Sequence, residues 1–343
     1  MIFRHIARKY QEIEHLKMYV LLGLSFLVII LYSSTKIWDQ IHYDTFTIFG
    51  VTYSPTYAAT LGLDPRETYQ QMFKDLKVRK IRLAANWDEV ERTQDQFDFS
   101  DLDYYVGEAR KHNAQIILSI GYKLPRWPEC RVPKYLEHAG MQYRQERQLI
   151  YIKKVIEHYE NNYSIVSWQI ENEPLLEFGT CDPVDEQYLR KEIAYVRSIT
   201  SKPIIITDSG ELSSWITPMQ LSDIFGTTMY RSVINPILGE IPYYFQPWYY
   251  RVKSETIRKF LAPNNKEMIV VELQAEPWAE VFIADMPVEK QLDHFTVQSF
   301  KNNVTFAKKV GTSEIYLWGV EWWYWIAKLG HPEFLEYAKT IFK

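Results

Sequence analysis

The strongest constraint on this chain is an uninterrupted alternation of short apolar runs with longer amphipathic runs. The short runs are rich in β-branched residues and have the length of buried strands, whereas the longer runs carry apolar residues at helical spacing. The predicted strands are residues 46–51, 80–84, 115–120, 165–170, 203–207, 223–229, 267–272 and 314–318. The predicted helices are residues 65–76, 100–112, 145–159, 185–200, 255–261, 288–310 and 331–342. Eight strand–helix units without a linker predict one α/β domain, a (β/α)8 TIM barrel, over residues 46–343.

Length and composition agree with this barrel and argue against some functions. A chain of 343 residues holds one large barrel or two ordinary domains, and 47% hydrophobic residues suffice for a sizeable core. A doubly wound dinucleotide-binding sheet is the alternative. However, residues 50–55, after the first predicted strand, lack its Gly-x-Gly-x-x-Gly turn. A net charge of −4 without a basic run argues against nucleic acid as a partner.

An apolar segment precedes the predicted barrel. Residues 18–32 carry no charge and are at the short end for a membrane span. Basic residues outnumber acidic ones before this segment, which favours a cytoplasmic N-terminus. We therefore predict a cytoplasmic segment 1–17, a transmembrane signal anchor 18–34, a short linker 35–45 and a barrel outside the cytoplasm. A cleavable signal peptide is the alternative, but no Ala-x-Ala site follows; a buried soluble helix fits poorly because the segment is apolar on every face.

The chain has two cysteines, Cys130 and Cys181, which follow neighbouring predicted strands. In an oxidising compartment they would be able to form a disulfide, and two free thiols are the alternative. No spacing of cysteine and histidine indicates a metal site, and we expect neither a metal nor a cofactor.

Two glutamates have the positions of a catalytic pair. Glu173 follows the fourth predicted strand, and Glu272 closes the seventh. The carboxyl ends of all barrel strands face one central cleft, so the fold brings the two side chains to the same mouth. A carboxylate in such a partly desolvated cleft is costly unless something uses it. Together they have the equipment for glycoside cleavage, a proton donor and a nucleophile; solvated strand ends are the alternative.

Three stretches resemble motifs of clan A glycoside hydrolases, the retaining (β/α)8 superfamily that includes cellulases, β-mannanases and β-galactosidases. Residues 168–174 (Trp-Gln-Ile-Glu-Asn-Glu-Pro) resemble the fourth-strand motif. Residues 81–103 resemble the Arg…Trp…Glu…Phe-Asp…Leu-Asp pattern of β-galactosidase-like members, and residues 125–128 (Pro-Arg-Trp-Pro) also fit. The resemblance runs from about Phe46 to the C-terminus, and it implies a TIM barrel that needs no cofactor.

The resemblance assigns roles to individual residues. It makes Glu173 the acid/base and Glu272 the nucleophile. Arg82, at the end of the second strand, would stabilise the charge of the nucleophile, with a barrel-mouth ion pair as the alternative. Tyr230 resembles the tyrosine that hydrogen-bonds the nucleophile, and Asn172 would bind the sugar 2-hydroxyl.

Aromatic residues are candidates for sugar contacts. By the same resemblance, Trp318 would form the floor of the subsite for the cleaved sugar. Trp127, Trp278, Trp322 and the aromatic run 243–250 are weaker subsite candidates, and for the run, loop packing or contact with a membrane surface is at least as good an interpretation.

Further carboxylates lie near predicted strand ends, as sugar-hydroxyl acceptors or as solvated residues. They are Asp208, Glu211, Glu276 and Glu321. Glu171 is expected to be a structural hydrogen-bonding residue.

These observations predict a membrane-anchored retaining β-glycosidase that hydrolyses an oligo- or polysaccharide. One alternative is a transglycosylase with the same two glutamates, and the other is a non-catalytic carbohydrate-binding barrel. The glutamate pair argues against the binding barrel, because a binding protein does not need a matched acid and nucleophile. The second-strand pattern favours β-galactosidase-like substrates, whereas the fourth-strand motif favours those of cellulases and mannanases.

The charge distribution around residues 18–34 predicts that the barrel lies outside the cytoplasm. Protease added to intact cells should therefore digest the barrel. Complete protection, under conditions that digest a known surface protein, would contradict this placement.

Overall fold

The computed structural model describes residues 15, 17–26, 29–30, 33, 46–177, 181, 183–235, 239–279 and 281–342. The chain divides into two compact units, residues 1–44 and 45–343.

In the N-terminal unit, residues 15, 17–26, 29–30 and 33 are helical. Apolar side chains of this helix, including Leu21 and Phe26, are exposed. Among the described residues, no helix is both long enough and apolar enough to cross a membrane. Five positions of the predicted anchor, 27–28, 31–32 and 34, lie outside the described residues, as does almost all of the predicted segments 1–17 and 35–45.

The second unit is a closed barrel of eight parallel strands, which confirms the predicted (β/α)8 fold. Its strands are β1 (Ile48–Thr52), β2 (Lys80–Ala84), β3 (Gln115–Ile120), β4 (Ile165–Ile170), β5 (Ile204–Asp208), β6 (Ile224–Met229), β9 (Glu267–Gln274) and β10 (Glu314–Trp318). Two further strands, β7 (Ser232–Asn235) and β8 (Gly239–Pro242), pair with each other as an antiparallel hairpin. Around the barrel the order is β1-β10-β9-β6-β5-β4-β3-β2, returning to β1. The core strands are almost continuously apolar because a parallel barrel buries both faces.

Helices connect the strands, and their amphipathic patterns bury one face each. They are α1 (Pro55–Thr60), α2 (Pro65–Asp75), α3 (Trp87–Val90), α4 (Ser100–Lys111), α5 (Met141–Tyr159), α6 (Glu186–Ile199), α7 (Ile216–Leu221), α8 (Pro247–Phe260), α9 (Val288–His294), α10 (Val297–Val310), α11 (Val320–Lys328) and α12 (Glu333–Ile341). Short 3-10 turns occur at Lys134–Leu136 and Ile283–Asp285.

Two helices differ from their predicted bounds for identifiable reasons. The predicted helix 288–310 is two helices, because Thr296 and Ser299 form a capping box that starts α10. The predicted helix 255–261 is the end of α8, which begins at Pro247, a proline in the first turn. Residues 247–250, which are half of the aromatic run 243–250, therefore belong to this helix and not to a loop.

The hairpin of β7 and β8 is held at the carboxyl end of the barrel. The Gln274 side chain, at the end of β9, accepts hydrogen bonds from the backbone N–H groups of Arg231 and Ser232, at 2.8 and 3.2 Å. Its amide group donates to the Ser232 carbonyl at 2.9 Å. The hairpin is thus attached beside Tyr230, at the rim of the mouth.

Cys130 and Cys181 form a disulfide, with their Cα atoms 5.6 Å apart. The bond joins the loop after β3 to the segment between β4 and α6, and it closes a loop of 51 residues in sequence separation. Of the two alternatives left open by the sequence, the structure has the paired one.

The disulfide should stabilise the barrel by restricting the unfolded chain. Replacing both cysteines with serine should lower the free energy of unfolding by about 2–4 kcal/mol, measured by denaturant titration. The unreduced native protein should resist alkylation at both positions. Two alkylated cysteines, found by mass spectrometry, would contradict the bond.

Candidate active site

Glu173 lies just beyond the end of β4, in a loop whose backbone is unusual. Glu171 and Glu173 have φ angles of 59° and 45°, in the left-handed region that residues other than glycine rarely adopt. The Glu173 N–H donates to the Thr207 hydroxyl at 2.8 Å, and the Thr228 hydroxyl donates to Glu173 Oε1 at 3.1 Å. Glu173 Oε2 has no hydrogen-bond partner among the described residues, so it is the oxygen left for a substrate.

The environment of Glu173 favours its protonated form. Burial raises the pKa of Glu173 well above its ordinary value of 4.5, and the negative charge of Glu272 raises it further. Glu129 and Asp208 act in the same direction, whereas the Lys123 cation opposes them. Glu173 therefore has the properties of a general acid at neutral pH.

Glu272 is held in a contrasting environment. Its side chain is 3% exposed, and Arg82 Nη1 donates to Oε1 at 2.7 Å. The Tyr230 hydroxyl donates to Oε2 at 3.0 Å. A buried cation and a hydrogen bond both stabilise the charged form of a carboxylate, which is the form that a nucleophile needs.

Arg82 connects the nucleophile with the fourth strand. Its guanidinium is fully buried and donates from Nε to Gln169 Oε1 at 2.7 Å, and from Nη2 to Asn172 Oδ1 at 2.6 Å. The Asn172 oxygen also accepts from Gln169 and Thr207 at 3.3 Å each. These bonds fix the orientation of Asn172, whose Nδ2 has no hydrogen bond to the described residues. That amide group is therefore left to donate to a ligand.

Glu171 accepts hydrogen bonds from the loop after β3, as expected of a structural residue. One carboxylate oxygen accepts from the Tyr122 N–H at 2.8 Å, and the other accepts from the Lys123 N–H. The carboxylate packs over Gly121 so closely that a Cβ there would lie 2.6 Å from it. Only glycine fits this contact, and Gly121 also has a φ of 142°.

A second buried carboxyl group, Glu192, lies behind Glu171 and was not identified in the sequence analysis. Gln148 Nε2 is 2.6 Å from both Glu171 Oε1 and Glu192 Oε1. Burial raises the pKa of Glu171 to about 7 and raises that of Glu192 well above its ordinary value, with the Glu171 charge as a further cause. Burial of both groups therefore favours protonation of the pair.

Lys123 is another contributor that the sequence analysis missed. Its fully buried Nζ donates to the Glu173 and Leu176 carbonyls at 3.2 Å each, and it is 3.3 Å from Glu129 Oε2. A buried lysine needs such partners. It fixes the backbone of the loop that carries Glu173.

The predicted aromatic platforms divide into three groups. Trp278 packs edge-on against Tyr230 with ring centroids 5.2 Å apart, which brings it beside the nucleophile. Trp318 is partly buried at the end of β10, and Trp127 is 62% exposed on the loop after β3. Trp322 is fully buried and donates to Gln291, so its interpretation as a subsite residue was wrong.

The further carboxylates near the strand ends, for which the sequence analysis considered a solvated position, are mostly buried. Glu276 and Glu321 are 6% and 0% exposed, and both bind Arg126. Asp208 is 3% exposed. Glu211 accepts from the Tyr250 hydroxyl at 2.6 Å, and burial raises its pKa to about 7. The solvated interpretation fails because helices α8 and α11 and the loop after β3 cover these strand ends.

The candidate site has acid–base equipment but no metal-binding geometry. Within the described parts of the chain, no three His, Cys, Asp or Glu side chains are grouped to hold a metal ion. The site combines a buried carboxyl group with a raised pKa, a carboxylate bound by a guanidinium and a fixed amide donor.

Comparison with known proteins agrees with the barrel fold. Residues 44–196 match the model of glycosyl hydrolase family 10. A β-galactosidase, BgaA, from Clostridium cellulovorans is 27% identical over 168 residues, which are 42% of this chain and 25% of that protein. The match thus spans a quarter of the length of this relative.

Solved structures share the fold at low sequence identity. Xylanase 10B from Thermotoga petrophila, in complex with xylobiose, has a TM-score of 0.54 and 13% identity over 80% of this chain and 82% of that one. A β-galactosidase from Halorubrum lacusprofundi has a TM-score of 0.56 and 14% identity, with 79% and 52% covered. GH5_18 from Bifidobacterium longum has a TM-score of 0.59 and 11% identity, with 79% and 69% covered.

The resemblance to clan A glycoside hydrolases that the motifs indicated is confirmed by these matches together. Among the matched proteins are a xylanase and two β-galactosidases.

Removing the Arg82 guanidinium should damage both stability and activity. Arg82→Met leaves the buried Glu272 carboxylate unpaired, which should cost about 3–5 kcal/mol in the free energy of unfolding. Loss of glycosidase activity should be about a hundredfold or more in kcat, because the nucleophile and Asn172 both lose their donor.

Lys80→Met is the matched control, because Lys80 lies on the same strand and its ion pair with Glu314 is partly exposed. It should cost no more than about 1 kcal/mol by denaturant titration. Equal effects of the two substitutions would contradict the special role of Arg82.

Proposed function

We propose that the chain is a retaining β-glycosidase, with Glu173 as acid/base and Glu272 as nucleophile. The observation that carries the proposal is the opposite electrostatic environment of the two carboxyl groups. Burial and negative neighbours favour the protonated form of Glu173, whereas Arg82 and Tyr230 bind the charged form of Glu272. Two carboxyl groups with divergent environments are the requirement for this chemistry.

In the first step, Glu272 attacks the anomeric carbon as the bond to the leaving oxygen breaks. Glu173 gives its proton to that oxygen, so the product is a glycosyl-enzyme and a free sugar hydroxyl. As Glu272 loses its charge, Arg82 keeps its bonds to Gln169 and Asn172 and stays in place. The Nδ2 group of Asn172 donates to a sugar hydroxyl, a contact that strengthens in the transition state.

In the second step, the now charged Glu173 removes a proton from water. The resulting oxygen attacks the anomeric carbon and releases Glu272, so the sugar leaves with its original anomeric configuration. A sugar hydroxyl in place of water would give transglycosylation with the same residues. A β-linked oligosaccharide or polysaccharide is the proposed substrate, since the relatives include β-galactosidases and xylanases.

We also propose that residues 18–34 anchor the enzyme in a membrane, with the barrel outside the cytoplasm. Residues 18–32 carry no charge, and the described apolar side chains of this segment are exposed. Exposed apolar surface of this kind is stable in lipid rather than in water.

Variants of the two glutamates test the mechanism against aryl glycosides of graded leaving-group acidity. Glu272→Ala should abolish turnover of every substrate, and azide or formate should restore part of it by filling the space. Glu173→Ala should retain turnover mainly of activated aryl glycosides, because these need little protonation. Wild-type kcat/KM should fall on the alkaline side as Glu173 ionises, since only its protonated form is the acid.

NMR of the first product formed gives the independent control. Retention of the anomeric configuration is expected, and inversion would exclude Glu272 as a nucleophile. Near-normal turnover in Glu272→Ala would contradict the role of Glu272, whereas carbohydrate binding without any turnover by the wild-type protein would favour the binding barrel.

A further inference from the structure

An ion pair crosses the mouth of the barrel. Arg126 lies on the loop after β3, and Glu276 lies just after β9. In the closed barrel three strands separate β3 from β9 in each direction, so the two strands are on opposite sides. Nevertheless, Arg126 Nη1 binds Glu276 Oε1 directly, and Nη2 is 3.5 Å from Oε2. The pair therefore divides the half of the mouth at β1, β2 and β10 from the half at β4, β5 and β6.

Aromatic rings fill the space around this ion pair. The Arg126 guanidinium carbon is 3.9 Å from the ring centre of Tyr57 and 4.0 Å from that of Trp318. Arg126 Nη2 also donates to Glu321 Oε2 at 3.0 Å, and the Tyr57 hydroxyl donates to Glu276 at 3.4 Å. We call the five residues Tyr57, Arg126, Glu276, Trp318 and Glu321 the mouth wall.

The mouth wall is a filled barrier rather than the lining of a groove. Arg126, Glu276 and Glu321 are all less than a tenth exposed. The remaining Glu321 oxygen accepts from the Ser54 N–H, which attaches the loop after β1 as well. Four loops thus meet in this wall, and the guanidinium occupies one face of Trp318 that a sugar would otherwise be able to cover.

The wall stands on the side of the nucleophile. Glu276 follows β9, the strand that carries Glu272, and Trp318 ends β10, the strand that pairs with β9. Glu173, in contrast, follows β4, in the other half of the mouth. In a retaining reaction the sugar that becomes attached lies over the nucleophile, and the leaving group lies on the side of the acid.

We propose that the mouth wall closes the cleft on the side of the attached sugar, so that the enzyme removes single sugars from the non-reducing end of its substrate. This inference rests on the proposed function, because it uses the roles of Glu173 and Glu272. A chain that extended beyond the attached sugar would have to pass through Arg126 and the two rings beside it. The proposal places no limit on the length of the leaving group.

The products of wild-type protein acting on oligosaccharides labelled at the reducing end test the proposal. A panel of β-linked gluco-, manno-, xylo- and galacto-oligosaccharides is digested for short times and separated by length. The expected pattern is a labelled product shorter by one sugar, together with free monosaccharide. Early release of short labelled fragments together with unlabelled oligosaccharides would overturn the proposal.

Substitutions at Tyr57 test whether the mouth wall causes the release of single sugars. Tyr57→Ala removes a ring without leaving a buried charge unpaired, so it should open the wall and add unlabelled disaccharides or longer fragments to the products. Tyr57→Phe, the matched control, keeps the ring and should keep release of single sugars. Strict single-sugar release by a folded Tyr57→Ala protein would contradict the role of the wall.

Aryl monoglycosides separate this proposal from the mechanism. Aryl monoglycosides have no sugar beyond the attached one, so the mouth wall should not affect their binding. If aryl monoglycosides are cleaved in a reaction that depends on Glu272, but oligosaccharides are cleaved internally, the mouth-wall proposal is wrong and the proposed function stands. No cleavage of either substrate class would contradict the proposed function itself. If Tyr57→Ala does not fold, the wild-type products alone decide.

Discussion

The buried guanidinium of Arg82 is the interaction on which the rest of the site depends. It lies in the closed interior of the barrel with no exposure to solvent, where an isolated charge would be very unfavourable. Glu272 compensates that charge, while Gln169 and Asn172 accept the remaining donors. One side chain on β2 therefore binds the Glu272 carboxylate on β9 and sets the orientation of the Asn172 amide beside Glu173. The planar, always charged guanidinium is suited to this task in a way that lysine is not.

Glu173 is positioned by a different means, which is the backbone of its loop. Two left-handed residues in a span of three are unfavourable by themselves, and they persist only where surrounding contacts fix them. Here Lys123, on the loop after β3, donates its backbone N–H to the Glu171 carboxylate and its side-chain Nζ–H to the Glu173 carbonyl. Thr207, on β5, accepts from the Glu173 N–H. Glu272 is thus held by a side-chain network and Glu173 by the main chain. The disulfide at Cys130 fastens the same β3 loop to the segment that follows Glu173.

The sequence was sufficient for the barrel and for the glutamate pair, because both depend on local patterns. Apolar runs of strand length give the eight strands, and a glutamate at the end of such a run is conspicuous. The contributions of Glu192, Gln148 and Lys123 were not predictable, because each depends on a contact across tens of residues. Trp322 was misjudged since an aromatic residue after a strand looks the same whether it faces the cleft or the core. Only packing against α9 decides that question.

The buried acids behind the site have a consequence for folding itself. Glu171, with a pKa of about 7 in the folded chain, and Glu192, whose pKa is raised further, both have an ordinary value of 4.5. At neutral pH the unfolded chain has both groups ionised, so the chain takes up protons from solution as it folds. Their contribution to stability is fully present below about pH 4.5 and decreases as the pH rises through 7, since the folded state binds more protons. The two carboxyl groups that support the Glu173 loop thereby contribute more to stability in mildly acidic solution than in neutral solution.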